Sequence, residues 1–449
     1  MSPRLLHYSD LEGVYDAPER AARLAGLVDE RRDSDTLVLG TGDNTAPGVL
    51  SMVSEGRQAL DLFAALDPDA DTFGNHDFDY GLDATRDIVA DSPQPWVSAN
   101  VFLGETGERF ATAEGVVPWK TVETSDATVG LVGVTDPDTP SMSPGAAPLA
   151  MTDPVSVVRE VEPRLRDLGA DYVVVLSHAG RADDDIAART DVDAVLGGHI
   201  HDQRVDRVDG TVCTRPGPNG HTLLEVALDD GTVTAHPVEK GPVDEAVLER
   251  LQARERAAGL DEVVARVEDP IRRGTPERKH GESRIGNFVA DAYRWVADSD
   301  VALQNTGGIR EGPPLAGAVT VADLVSVVPF DEAVAVAELT GAELVELARQ
   351  GEGQYVTGLP DYWHAHVSGM TVEHDADRTV SVTVDGAPVV PTDTYTLATT
   401  EYLLHTDHEF PVLTEDHLVE RLDVQYEALT AYARQAGIDP ALDGRLRLR

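Results

Sequence analysis

Five short clusters of polar residues carry groups that bind hard cations. Gly74-Asn75-His76-Asp77-Phe78-Asp79 follows its glycine with an amide oxygen, an imidazole and two carboxylates. Around it stand Asp10-Leu11-Glu12, Gly42-Asp43-Asn44, Ser177-His178 and Gly197-Gly198-His199-Ile200-His201, each at the end of an apolar run. Carboxylate and amide oxygens suit hard divalent ions, and imidazole extends the choice to Mn, Fe, Co and Zn. Two such ions about 4 Å apart can hold phosphoryl oxygens and generate a hydroxide nucleophile near neutral pH. One ligand must then be shared, and a carboxylate with two oxygens shares best. Asp43, just past a buried run, is the candidate bridge. Taken singly, Asp10 and Glu12 also read as acids at a helix start, Gly42-Asp43-Asn44 as a turn, and His178 as a satisfied core histidine. Their joint occurrence in this order, each after an apolar run, favours a ligand set.

The apolar runs must be the elements that bring these clusters together. Strands are predicted over 5–9, 36–39, 96–100, 129–134, 172–176, 194–196, 223–228 and 233–238, and helices over 17–31, 60–66, 154–168 and 183–189. Alternating strands and helices argue for an α/β class with buried strands. Such sheets place ligands outside the C-terminal ends of their strands, where these clusters fall. A polar, charged segment over 243–258 reads as an interdomain helix. Beyond it, helices are predicted over 285–296, 340–349 and 422–436, and strands over 301–303, 334–339, 380–384 and 394–398. The expected organisation is a catalytic domain over 1–240, a helical linker over 241–259 and an α+β domain over 260–449.

Charge sets further bounds. Asp and Glu number 80 against 36 Lys and Arg, for a net charge of −44, while 41% of residues are hydrophobic. That is too apolar for a disordered acidic chain. The only lysines are Lys120, Lys240 and Lys279. Such a surface repels itself in dilute buffer; at molar salt the Debye length falls to about 3 Å and the repulsion is screened. The composition resembles that of proteins from salt-accumulating archaea. It also argues against nucleic acid as a partner. Cys213, the single cysteine, excludes an intramolecular disulfide and reads as structural. No apolar run of about 18 residues predicts a membrane span. With Met1-Ser2-Pro3-Arg4 leading straight into the first strand, the expectation is a cytoplasmic protein.

In their order, the five clusters resemble the motifs of the calcineurin-like metallophosphoesterase superfamily. More narrowly, they resemble those of its 5′-nucleotidase family, which includes UDP-sugar hydrolases. The resemblance covers essentially the whole chain. It implies a four-layer α/β/β/α N-terminal sandwich and a C-terminal α+β substrate-binding domain. It implies two divalent ions, Mn2+ first, with Mg2+, Co2+ or Zn2+ as further fits. Asp10, Glu12 and His201 would hold one ion, Asn75, His178 and His199 the other, with Asp43 bridging. His76 and Asp79 match the catalytic dyad, His76 stabilising transition-state charge and Asp79 orienting it. Glu12 stands where the family usually has histidine, which shifts the expected preference towards Mn2+ or Mg2+ and away from Zn2+.

In the second half, Asn305-Thr306-Gly307-Gly308-Ile309-Arg310 resembles the family's Asn-x-Gly-Gly-Ile-Arg, with Arg310 available to phosphate or ribose oxygens. Phe330 and Tyr402 match the aromatic pair that stacks on the base. His408 falls at the family's ribose-binding acid, and Asp407 is the substitute. The basic residues of 272–279 are candidates for the phosphate-site arginines. The implied activity is hydrolysis of nucleoside 5′-monophosphates, small-molecule substrates, to nucleoside and phosphate. The alternative is phosphodiester or pyrophosphate hydrolysis of 2′,3′-cyclic nucleotides, UDP-sugars or dinucleotides. A third reading is a non-catalytic nucleotide- or metal-binding protein.

Overall fold

The first two strands form as Arg4–Tyr8 and Thr36–Gly40 and run parallel, with Arg4 beside Thr36 and Tyr8 beside Gly40. The computed structural model describes residues 3–353, 362–374, 380–406 and 408–448. It divides into two units, Met1–Ala258 and Gly259–Arg449.

In the first unit, one sheet has the order Val233–Pro237, Thr222–Ala227, Arg4–Tyr8, Thr36–Gly40. A second has the order Trp119–Glu123, Thr128–Thr135, Tyr172–His178, Ala194–Gly197, Thr211–Arg215, Arg204–Val208; its central four strands are parallel and its two edges antiparallel. Leu5, Leu37 and Leu39 share a core with Leu131, Val174, Leu176 and Leu196, so the two sheets stack face to face. Alternate residues of the second sheet, Val132, Val173, Val175 and Val195, face the other way, as the two-residue period of a strand requires. They meet Val158, Val161 and Leu165 of helix Pro154–Asp167 and Ile186 of helix Ala182–Arg189. Helix Pro18–Arg31 connects the first two parallel strands and must cross one face of their sheet. The inner face is taken, so it covers the outer one. The layers are therefore helix, sheet, sheet, helix.

Two expectations change here. Residues 96–100 form no strand. Trp96 and Val97 make isolated bridges to Asp71 and Val117, and Asn100 spends its side chain on the backbone of Thr135 and Thr152. The segment expected as an interdomain helix does form a helix, Glu245–Ala257, but it belongs to the first unit and packs on helices Pro18–Arg31 and Ala59–Leu66. Asp244 caps it through the amides of Ala246 and Val247. Polar composition suggested a linker, but Val247 and Leu251 on one face are fully buried.

The second unit is built on a sheet of order Ala365–Ser368, Val301–Asn305, Thr394–Thr400, Ala333–Thr340, Leu418–Val424. Helices Arg284–Ala297 and Gln425–Ala436 fill a core with Ala302, Val334 and Ala398. Helix Gly341–Gln350, started by a Thr340–Glu343 capping box, packs in a separate core with Leu303, Ala335 and Leu397. The helix expected over 422–436 begins only at Gln425, because Leu418–Val424 pairs with Ala333–Thr340 as the edge strand. Among the described residues, no helix is long and apolar enough to cross a membrane.

Candidate functional site

The ends of the parallel strands carry the clusters to one place. Asp10 follows strand Arg4–Tyr8, Asp43 follows Thr36–Gly40, His178 ends Tyr172–His178, and His199 and His201 follow Ala194–Gly197. Three groups of donor atoms each lie within 4.8 Å of one another: Asp43 with His178 and His199; Asp10 with Glu12 and His201; and Glu12 with Asp43 and His76. Asp43 thus belongs both with the imidazole pair and with Glu12. Asn75 joins through its Oδ1, 2.9 Å from His199 Nδ1.

The backbone here is held where side chains are rarely tolerated. Asp10, Glu12, Asp43 and His199 have φ of 49, 41, 53 and 71°. Left-handed non-glycine residues cost about 1–3 kcal/mol each and persist only where neighbours over-determine them. The neighbours are visible. Asp10 N–H donates to Gly42 O at 3.0 Å and Glu12 N–H to Asp43 O at 3.2 Å; His199 N–H donates to Asp10 Oδ1 at 2.9 Å and His76 N–H to Asp43 Oδ1 at 2.7 Å. Gly74 is glycine because a Cβ there would sit 2.1 Å from Asp43 Oδ1.

The donor set fits divalent cations. Glu12 Oε1 and His178 Nε2 are buried without a hydrogen-bond partner. Yet His201 Nε2 approaches Glu12 Oε1 at 2.9 Å, and His178 Nε2 approaches Asp43 Oδ2 at 3.0 Å. Donor atoms that converge without hydrogen-bond geometry suit an ion between them. His178 Nδ1 lies 2.7 Å from Thr41 O; donating its proton there leaves Nε2 as the ligand nitrogen. Without an ion, burial pulls the His178 imidazole down, but the charge and contact of Asp43, with Asp10 behind, hold it at about 10. Burial lifts the Asp10 carboxyl to about 6. Cation binding at these groups therefore competes with protons.

His76 Nδ1 lies 2.8 Å from Asp79 Oδ2, and Ser143 Oγ donates to the other Asp79 oxygen at 3.0 Å. Burial lowers the His76 pKa, but the hydrogen bond to Asp79 and the charges of Asp43, Asp79 and Glu12 carry it to about 9. Without an ion, these carboxylates favour the protonated imidazole near neutral pH.

In the second unit, Asn305 ends strand Val301–Asn305 and its Nδ2 donates to Glu409 Oε2 at 2.6 Å. The same oxygen lies 2.7 Å from His364 Nε2, and Tyr402 OH donates to Glu409 Oε1 at 3.2 Å. Gly308 admits no side chain, because a Cβ would lie 1.9 Å from Gln304 Nε2; Gly307 has room. The Arg310 guanidinium lies over the Phe330 ring, 4.8 Å from its centre. Tyr402 is 39% exposed, enough to offer a ring face to a ligand. Asp407 lies outside the described residues.

Two known domains match this chain in order. Residues 3–203 match the Calcineurin-like phosphoesterase family and residues 263–415 match the 5′-nucleotidase, C-terminal domain. The chain joins a calcineurin-like phosphoesterase domain to a 5′-nucleotidase C-terminal domain. The whole fold resembles the crystal structure of a 5′-nucleotidase precursor from Thermus thermophilus, with a TM-score of 0.71 at 23% identity, covering 100% of this chain and 99% of that one. Snake venom 5′-nucleotidase of Gloydius brevicauda is 24% identical over 95% of this chain and 83% of its own length. Trifunctional nucleotide phosphoesterase protein YfkN of Bacillus subtilis (strain 168) is 24% identical over 99% of this chain, which spans only 34% of that protein.

Several residues that build these domains were not singled out by sequence. In the phosphoesterase domain, Asp77 is part of the framework: its carboxylate accepts the amides of Asp43, Asn44, Thr45 and Gly74 at 2.8 to 3.1 Å. Phe78 packs with Phe73 and Phe110 beneath the loop. Asp71 braces Asn44 and Tyr8 from behind. In the nucleotidase domain, Glu409 is the acid tied to Asn305, His364 and Tyr402, two residues past Asp407. Its signal in the sequence was an acid near the second aromatic, but the register taken from the family put the acid position on His408, with Asp407 as the substitute. Of the basic run, Arg273 is buried and donates to Pro313 O, at 2.9 Å, and to Ser326. Arg278 donates to Ile309 O at 2.6 Å and to Glu311 at 2.8 Å, which fastens the Gly-Gly-Ile-Arg turn. Lys279 lies over the Tyr362 ring, 5.2 Å from its centre.

Proposed function

We propose that this chain is a dimetal phosphohydrolase that releases phosphate from nucleoside 5′-monophosphates. The observation that carries the reading is the place of Asp43, shared between an imidazole pair and the Glu12 side of one strand-end crevice. Divalent ions there would supply positive charge for the phosphoryl oxygens and lower the pKa of a water enough for hydroxide to be available near neutral pH. Asp10, Glu12 and His201 would hold one ion and Asn75, His178 and His199 the other, with Asp43 available to both. His76, kept protonated by Asp79, lends charge and a hydrogen bond to the phosphoryl group and leaving oxygen as negative charge develops. Ser143 fixes the Asp79 carboxylate and so the direction of the imidazole. Arg310, Phe330, Tyr402 and Glu409 recognise the nucleoside part. The Phe330 and Tyr402 rings take the base, and Asn305 with Glu409 presents polar atoms to the sugar.

The test is phosphate release in molar KCl with added Mn2+ from AMP, other nucleoside monophosphates, a 2′,3′-cyclic nucleotide, a UDP-sugar, a dinucleotide and an aryl phosphate. Chelator-sensitive release, fastest from monophosphates, is expected. A preference for the cyclic nucleotide, UDP-sugar or dinucleotide would keep the metal centre and move the function to diester or pyrophosphate cleavage. The similarity to a trifunctional nucleotide phosphoesterase is the reason for testing more than one kind of nucleotide phosphoester. The absence of turnover with any metal in the folded protein would leave a binding role.

A further inference from the structure

The two halves of the metal centre differ in their donor atoms. On one side stand two carboxylates, Asp10 and Glu12, and one imidazole, His201, whose side chain is 51% exposed. On the other stand two imidazoles and an amide: His178, fully buried, with His199 and Asn75. With Asp43 shared, the first pocket faces its ion with three carboxylates, the second with one. Zinc favours nitrogen and sulfur donors, whereas carboxylate and water environments suit Mg2+ and Mn2+.

We propose that the two ion positions are unlike: the pocket of Asp10, Glu12 and His201 takes a hard ion such as Mn2+, and the pocket of Asn75, His178 and His199 takes Zn2+ by preference. Glu12 decides the difference. Its carboxylate is buried, and its backbone is held left-handed by the hydrogen bond to Asp43 O at 3.2 Å. Its Oε1 and His201 Nε2 face each other at 2.9 Å without hydrogen-bond geometry, as two donors to one ion would. An imidazole at position 12 would give this pocket two imidazoles, as the other pocket has. Zinc, which lies above manganese in the order of divalent affinities, would then take both. The inference rests on the dimetal reading and adds to it the identity of each ion.

The test is competitive loading. Metal-stripped protein is dialysed in molar KCl against Zn2+ and a large excess of Mn2+, and metal content is measured by mass spectrometry with manganese electron paramagnetic resonance alongside. One zinc and one manganese per chain are expected, with the hyperfine pattern of an isolated manganese ion. Glu12→His is expected to lose the manganese signal and gain a second zinc. Glu12→Gln removes the charge but keeps the size, and is expected to lose manganese and keep zinc; it decides the matter if the histidine variant does not fold. His178→Ala is expected to do the reverse, losing zinc and keeping manganese. Two zincs in the unaltered protein would overturn the inference and leave the dimetal reading standing. Manganese retained in both Glu12 variants would overturn the role given to Glu12. No stoichiometric ion of either kind would overturn the inference together with the reading beneath it.

Discussion

The metal centre of the first unit and the ligand face of the second are assembled in different ways. The first takes its side chains from the ends of parallel strands buried on both faces, so their positions follow from the sheet. Four of its residues are held in left-handed backbone by amide contacts within the cluster. The second takes its side chains from a strand end, a glycine turn and loops, tied together through one carboxylate, Glu409. On the proposed function, the site that would hold two cations is built on strand ends, and the site that would read a nucleoside on segments whose sequence can vary without disturbing a sheet.

Changes in the first region should therefore remove the chemistry, and changes in the second should alter only recognition. The largest effect is expected from Asp43→Asn. Losing the shared charge should release both ions, measured as metal content, and cost at least the roughly 10²–10⁴-fold in kcat that removal of an acid–base group costs. His76→Ala should lower kcat within that same range of about 10²–10⁴-fold while metal content stays unchanged. Equal loss of metal would make His76 a ligand and blur the distinction between holding the ions and stabilising the transition state.

A smaller and differently shaped effect is expected at Glu409→Gln. Weakening its bonds to Asn305, His364 and Tyr402 should cost about 1–3 kcal/mol of ligand binding. That corresponds to a rise in KM for nucleotides of about 5- to 150-fold, with the KM for an aryl phosphate unchanged.

Smaller still are the effects of pH on stability, which should touch both units. His7 is buried between Thr214 and Thr41; burial, helped by the charge of Arg215, lowers it to about 3. His366 is buried in the second unit; burial lowers it to about 4, only partly offset by the carbonyl of Arg278. At these two sites the folded chain binds fewer protons than the unfolded chain below pH 6.5, the ordinary histidine value. Their contribution to stability should fall as pH drops from about 6.5 towards 4 and be constant above that window. Denaturant titrations of the unaltered chain and of His7→Gln at about pH 7 and 5 in molar KCl should isolate it, the difference in stability between the two proteins changing between the two pH values.

The same contrast governs how much could be read from sequence. Strands such as Thr36–Gly40 and Tyr172–His178 announce themselves as uninterrupted apolar runs, and a polar residue at their ends has nowhere to go but the sheet edge. Asp43 and His178 were legible for that reason. Asp77 was given no role because a carboxylate that accepts four amides carries no signature of that in a sequence. The strand expected over 96–100 failed because its β-prone residues pair with loops on either side. Glu409 was missed because no periodicity registers a loop, and the family's acid position fell on His408 with Asp407 beside it. Helix Glu245–Ala257 looked like a linker because its charged residues outnumber the two that are buried.

The most direct test of this division of labour is a comparison of kcat/KM for AMP and for a simple aryl phosphate in His76→Ala and Phe330→Ala. His76→Ala should depress both substrates alike. Phe330→Ala should depress AMP and leave the aryl phosphate untouched. If Phe330→Ala depresses both substrates equally, or neither, the second unit does not read the nucleoside and the account is wrong.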